Sequence, residues 1–305
     1  MDLPPSRSTP RHCPVLLQEV VASLELRPGA SVLDATVGLG GHASALLQAV
    51  GPQGFLVGID RDPRALEMAR SRLASVGGNF SLYHGRFSAV QSALRQAGLA
   101  PEGGLHGVLF DLGVSSYQLD TAERGFSFQR EGPLDLRMDP TTGETALGFL
   151  QRAGREETAR VLREFGEESA AKRIAAAIER SLAGGRLATT VDLARLVEQV
   201  VPRGRGKIHP ATKTFQALRI QINGELDDLR QALSDVDRYL CPGGRVAVLS
   251  YHSLEDRIVK ETFRAREREG ILEIVSRDVQ APREEEVEEN PRARSARLRV
   301  AVRRA

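Results

Sequence analysis

The segment Asp34-Ala-Thr-Val-Gly38-Leu-Gly40-Gly41-His42-Ala43 follows a short β-branched run and opens a helical period. Glycines at such a turn let the backbone bend tightly and approach a ligand, and the free N–H groups of the helix start face it. Twenty-two residues after Gly38, Asp60 closes the next apolar run. A carboxylate there can accept two hydrogen bonds from ribose hydroxyls. The turn and its acid fit two nucleoside cofactors, S-adenosylmethionine or a dinucleotide, because Gly38-x-Gly40-x-x-Ala43 also satisfies the relaxed dinucleotide fingerprint. An ordinary strand-to-helix turn is the plain alternative. A second acid, Asp111, ends Phe110-Asp111-Leu112-Gly113. In an open α/β sheet it faces the crevice beyond the strand ends, where it can accept from a substrate amine or hold a cofactor's amino group. As a plain alternative, it caps the next turn.

Positioning these groups takes a sheet. Short apolar runs at Ser31–Val37, Phe55–Asp60, Phe80–His84 and Gly107–Leu112 alternate with helical periods at Val15–Leu26, His42–Val50, Pro63–Val76 and about Ala89–Ala97. Asp62 is the expected N-cap of the third of these helices, with Pro63 in its first turn. This alternation predicts a doubly wound parallel sheet with right-handed crossovers. The pattern breaks over residues 113–142, which are rich in Gly, Ser, Asp and Pro. From Thr145 to Val201 every signal is helical, which predicts a small helical unit inserted into the α/β domain. Helices from about Ala211 to Asn223 and on to Leu240 lead back to a strand at Arg245–Tyr251. A helix at Leu254–Arg268 and strands near Ile271–Ser276 and Ala296–Arg303 complete the chain, and the charged stretch Arg277–Arg294 is expected to be mobile. The domains are set at 1–115 with 209–305, and at 116–208 for the insert.

The 305 residues exceed the roughly 150 of one domain and carry 41% hydrophobic side chains, enough for a sizeable core. No run approaches 18 apolar residues, which excludes a helical membrane span. The first thirteen residues have no apolar core and Cys13 and Cys241 form no CxxC, so a reduced cytoplasmic protein is expected. Net charge is only +2, yet it is unevenly spread. Six arginines and no acid fall in Pro291–Ala305, and residues 199–224 hold Arg203, Arg205, Lys207, Lys213 and Arg219 without an acid. Such segregation suits a polyanion partner or merely a solvated face. The arginine tail is expected to form an edge strand.

Longer blocks carry a resemblance. His12-Cys-Pro-Val-Leu-Leu-x-Glu19-Val20, the Asp34–His42 loop, Gly58-Ile-Asp60-Arg-Asp62-Pro63, Asp111-Leu-Gly-Val-Ser-Ser-x-Gln118-Leu-Asp120 and Arg124-Gly-Phe-Ser-Phe128 are of this kind. So are Gly132-Pro-Leu-Asp135-Leu-Arg137-Met-Asp139, His209-Pro-Ala-Thr-Lys213 through Arg219, Ser250-Tyr-His252-Ser-Leu-Glu255-Asp256-Arg257 and Asn290-Pro-Arg292-Ala-Arg294-Ser295. In this order they resemble the RsmH (MraW) methyltransferases over nearly the whole chain, with Leu136 where methionine is usual. The resemblance implies a class I S-adenosylmethionine-dependent methyltransferase, a Rossmann-like doubly wound α/β sheet with an inserted all-helical domain. It implies methylation of the N4 exocyclic amine of a cytidine in the decoding region of 16S rRNA within the small (30S) ribosomal subunit, with neither DNA nor a membrane as partner. Cofactor contacts carry over to Gly40, Gly41, His42, Asp60, Phe87, Asp111 and Gln118.

That chemistry sets requirements of its own. A cytosine amine is a poor nucleophile, so aligning it, worth on the order of 7–11 kcal/mol, matters more than a strong base. The base must also leave its stack for a pocket walled by planar groups. Tyr251 is a candidate to stack it, and Phe126 and Phe128 to wall it, with core packing as the alternative for all three. Asp111 is the first candidate acceptor for the amine, with Asn223 and His252 behind it. Arg137, Lys213 and Arg219 are candidates to grip phosphates. The six histidines show no ligand spacing, so no metal is expected. An NAD-dependent oxidoreductase and a non-catalytic RNA-binding assembly factor are the competing functions.

Overall fold

Alternation of buried strands with amphipathic helices produces, in the computed structural model, one seven-stranded sheet. Residues 14–201, 209–275 and 279–305 are described. The elements run α1 (Leu17–Leu24), β1 (Ser31–Asp34), α2 (Gly41–Val50), β2 (Phe55–Asp60), α3 (Pro63–Val76), β3 (Asn79–His84), α4 (Val90–Gln96) and β4 (Leu105–Asp111). After α5 (Ser116–Asp120) come four helices, α6 (Ala146–Gly166), α7 (Ala171–Ala183), α8 (Thr190–Val200) and α9 (Thr212–Asn223). The chain closes with α10 (Glu225–Tyr239), β5 (Leu240–Ser250), α11 (Ser253–Arg268), β6 (Leu272–Ile274), α12 (Glu284–Glu289) and β7 (Arg297–Arg303). Among the described residues no helix is long and apolar enough to cross a membrane.

Strand order is β3-β2-β1-β4-β5-β7-β6. All neighbours from β3 to β5 pair parallel, and β7 runs antiparallel between β5 and β6. This is the doubly wound sheet with a helical insertion that the sequence predicts. Period-two alternation divides its side chains between two faces. Leu33, Val57, Val108, Phe110 and Val248 meet α4, α10 and α11 on one side. Val32, Leu56, Leu109 and Leu249 meet α1, α2 and α3 on the other. The order reverses between β1 and β4, so connections leave in opposite directions there and open a crevice beyond the strand ends.

A third apolar cluster joins Phe126, Leu134, Leu136 and Met138 to α6, α7 and α8, and it also takes in Phe215 and Leu218 of α9. Residues 211–218 pack with the insert because the inward stripe of α9 faces α6, whereas Ile220 joins the core under the sheet. The crossing is close, since a Cβ on Gly166 would meet the Lys213 carbonyl oxygen at 2.7 Å.

Two expectations change. The arginine tail is not an edge strand, because β6 covers β7 and takes the edge itself. The stretch expected to be mobile is ordered from residue 279: Gln280 bridges Leu298, α12 follows, and a 3-10 turn spans Pro291–Ser295. Anchors hold it, since Glu286 accepts the Leu16 N–H at 2.7 Å and Arg292 pairs with Asp120 at 2.7 Å. His12, Cys13, Arg203, Arg205 and Lys207 lie outside the described residues, as do residues 276–278.

Candidate active site

At the reversal point lies a cavity of about 510 Å³, within the usual range for small-molecule sites. The turn after β1 forms one wall. Gly38 and Gly40 hold φ of +52° and +78°, a left-handed conformation that a side chain would strain. A Cβ on Gly41 would come within 2.5 Å of Pro14 Cγ, so the first turn of α2 sits directly against the segment before α1.

Asp60 ends β2 at the cavity and accepts the Gly38 N–H at 2.7 Å and the Asp62 N–H at 2.8 Å. Burial raises its pKa, and those two donors oppose the shift only in part. Each carboxylate oxygen keeps one lone pair for an incoming hydroxyl. Phe87 also lines the cavity, with Arg61 stacked over it at 5.6 Å and Phe110 edge-on at 6.0 Å.

Asp111 ends β4 across the turn. Its Oδ1 accepts from the Tyr251 hydroxyl at 2.7 Å, and its Oδ2 lies 3.3 Å from His42 Nδ1. His42 Nε2 faces the Val15 carbonyl at 3.0 Å. A carbonyl only accepts, so Nε2 carries a proton, and Nδ1 faces the Asp111 carboxyl group. The neighbouring carboxyl group therefore favours the imidazolium form of the ring. Burial pulls its pKa down, but the bond and charge of Asp111, with Asp34 behind it, outweigh burial and hold it above the ordinary value. Tyr251 is pushed the same way, by burial first and then by Asp111, which keeps the phenol protonated as a donor.

Asp34 itself was not singled out from sequence. It is fully buried, its Oδ1 accepts the Thr36 N–H at 3.0 Å, and its Oδ2 has no partner. Burial is the largest effect and raises its pKa to about 7, against the opposing charge of His42.

The expected residues sort unequally. Gly41, His42, Asp60, Phe87, Asp111, Gln118 and Tyr251 line the one cavity, and Gly40 adjoins it as the N-cap of α2. Gln118 closes a capping box with Ser115 and donates to Asp62 at 3.3 Å. Asp62 caps α3 as expected and also accepts from the buried Arg124, which ties the irregular segment to the sheet.

Asn223 and His252 stand outside the cavity lining. Asn223 gives both amide hydrogens to the Leu136 and Arg219 carbonyls and accepts the Met138 N–H at 2.7 Å. It clasps the turn at Leu136, where φ is +63°. His252 caps α11 in a capping box with Glu255. In this fold both side chains tie backbone segments together. Phe126 is buried in the helical cluster, and Phe128 stacks on His209 at 4.4 Å and on Phe215 at 5.1 Å, which is core packing.

The three cations do not gather. Arg137 is paired with Asp135, Lys213 donates to the Glu167 carbonyl at the end of α6, and only Arg219 reaches the cavity. Sequence reasoning also missed the wall built by Asn290, Arg292 and Ser295. Their block was visible, but the acidic run before it reads as solvated chain. Among the described residues no three metal-ligating side chains come together.

The model of the MraW methylase family matches residues 9–304. The Ribosomal RNA small subunit methyltransferase H of Syntrophotalea carbinolica is 46% identical over 317 residues, covering 98% of this chain and 99% of that protein. The protein of the same name from Persephonella marina is 46% identical over 294 residues, covering 96% and 99%. A solved structure described as a SAM-dependent methyltransferase, from Aquifex aeolicus, aligns over 94% of this chain and 89% of its own at 11% identity, with a TM-score of 0.41.

Proposed function

The chain belongs to the MraW methylase family, and from that premise we propose that it methylates the N4 amine of a cytidine in the decoding region of 16S rRNA, acting on the assembled small subunit in the cytoplasm. The observation that carries the reading is the convergence of the β1 turn, Asp60, Asp111 and Tyr251 on one cavity at the reversal point of the sheet.

The residues present fit S-adenosylmethionine. Asp60 keeps acceptor capacity for two ribose hydroxyls, Phe87 offers a flat apolar face for a purine, and the glycine turn lets α2 present its N-terminal N–H groups to a carboxylate. Gly40, Gly41, His42 and Gln118 complete that half of the site. When bound, the cofactor supplies an electrophilic methyl group on its sulfonium.

The chain's own task is to present the amine. Asp111 is an acceptor fixed by two donors, His42 and Tyr251, each occupying one oxygen. The remaining lone pairs accept from N4 and aim its nitrogen. As the new C–N bond forms, one N4 proton passes along that hydrogen bond to the carboxylate and then to solvent. Holding the acceptor rigid supplies alignment rather than basicity, which is what a delocalised amine needs. Tyr251 contributes through its hydroxyl, and the residue lines the cavity with its ring beside Gly113.

The oxidoreductase reading is not favoured, because the matching family is a methylase. Calorimetric titration with S-adenosylmethionine and with NAD separates the two. Binding of S-adenosylmethionine alone is expected, and NAD binding without it would reject the proposal. A non-catalytic assembly factor would bind small subunits but leave no labelled methyl group on them.

A further inference from the structure

Arg219 is the one predicted phosphate-gripping residue that the fold carries to the cavity, and it arrives in a state unsuited to phosphate. Its side chain is only 14% exposed. Nε and Nη2 form a two-pronged pair with Glu225, 2.9 Å to each carboxylate oxygen. Such a fork is rigid, and its charge is already neutralised. Glu255 adds a second negative charge nearby. Among the described residues Nη1 has no acceptor, and Arg219 lines the same cavity as Asp111 and Tyr251. A neutralised guanidinium with two free N–H groups suits uncharged acceptors better than a phosphate.

Its place in the fold says which ligand meets it. Arg219 lies near Glu255, which accepts the Tyr251 N–H at 2.8 Å, and the Tyr251 hydroxyl in turn donates to Asp111, while its partner Glu225 opens α10. That chain of contacts sets Arg219 beside the acceptor proposed for the target amine. The pairing edge of cytosine offers one donor, the N4 amine, followed by two acceptors, N3 and O2. We infer that Arg219, held by Glu225, is a specificity-determining residue that donates from Nη1 to N3 and O2 of the target cytosine while Asp111 accepts from N4. Uracil would set an oxygen against Asp111 and an N–H against Arg219, so the two side chains together select the base. This rests on the proposed cytidine reaction.

The test uses Arg219→Lys, which keeps the charge beside Glu225 but loses the fork. Two substrates are compared: small subunits lacking the modification, and subunits reconstituted with 3-deazacytidine at the target, whose N3 acceptor is replaced by C–H. Wild-type protein should lose about tenfold in kcat/KM on the deaza substrate, as expected for one base-edge hydrogen bond. Arg219→Lys should lose about 10- to 100-fold on ordinary subunits and nothing further on the deaza substrate. Its S-adenosylmethionine Kd and the salt dependence of subunit binding should match wild type.

Wild-type kcat/KM in Arg219→Lys, or an equal deaza penalty in both proteins, would overturn the inference. A weakened cofactor Kd would do the same, since Arg219 would then serve the cofactor. Should the variant fail to fold, the wild-type measurement decides: no deaza penalty overturns the inference, and a tenfold penalty supports it. Failure of the underlying reaction looks different, because wild-type protein would then leave cytidine N4 of ordinary subunits unmethylated.

Discussion

Substituting His42 with glutamine tests whether the ring that braces Asp111 is an imidazolium. The histidine is 5% exposed and makes two hydrogen bonds, one to the Val15 carbonyl at 3.0 Å and one to Asp111 at 3.3 Å. A bond to a neutral acceptor contributes about 1 kcal/mol and one between charged partners about 2 kcal/mol. His42→Gln should therefore destabilise the cofactor-free protein by about 3 kcal/mol at pH 6. The pKa of His42 is raised in the folded state above its ordinary 6.5. Its charge-dependent stabilisation is thus complete below pH 6.5 and is lost as pH rises through the raised value. The gap between parent and variant should narrow to about 1 kcal/mol once the ring is neutral, leaving only the Val15 bond. Urea unfolding at pH 6, 7, 8 and 9 measures this gap. Asp34 titrates nearby at about 7, so the comparison is repeated with Asp34→Asn in both proteins. A gap that stays constant, or widens as pH rises, would refute the imidazolium and with it the account of how Asp111 is held.

Other expectations follow from the same geometry. Asp60→Ala should weaken S-adenosylmethionine binding about 100-fold or more in calorimetry, the cost of two hydrogen bonds to a charged acceptor at about 1.5 kcal/mol or more each. Tyr251→Phe removes one of the two donors on Asp111 and should slow methyl transfer about tenfold or more while leaving cofactor affinity unchanged; wild-type turnover would reduce Tyr251 to a packing role. Asn223→Ala should cost about 3 kcal/mol in urea unfolding, because it strips three buried hydrogen bonds from the turn at Leu136. Asp34→Asn should gain stability relative to the parent between pH 4 and pH 7 and hold level above. Over that window the parent's folded form retains a proton that its unfolded chain has released.

What the sequence revealed followed the range of the physics behind it. The β1 turn, Asp60 and Asp111 were legible because local rules govern them: glycine conformation, helix starts, and the placement of acids at strand ends. Asp62 and Pro63 were read as a cap for the same reason. The backbone ties of Asn223 and His252 were not legible, because chemistry-bearing side chains in a family block look alike whether they face a substrate or a backbone. Only the tertiary path shows that Asn223 spends its amide on Leu136 and Met138 across 85 or more residues of chain. The alignment of α9 with the insert depended on Gly166, whose missing side chain has meaning only once Lys213 is packed against it. The strap after residue 279 was hidden for a similar reason, since Glu286 finds its partner 270 residues away at Leu16. Arg219 shows the opposite case. Its charge suggests phosphate, whereas its burial beside Glu225 is the ground for proposing a base instead.

The most direct measurement incubates the protein with methyl-labelled S-adenosylmethionine and small subunits lacking the modification, then maps the labelled nucleotide and its methylated atom by mass spectrometry. The account predicts one methyl group on N4 of a single cytidine in the decoding region of 16S rRNA, and none when Asp111 is replaced by alanine. Absence of label from the rRNA, or a methyl group on a ring carbon, would contradict it.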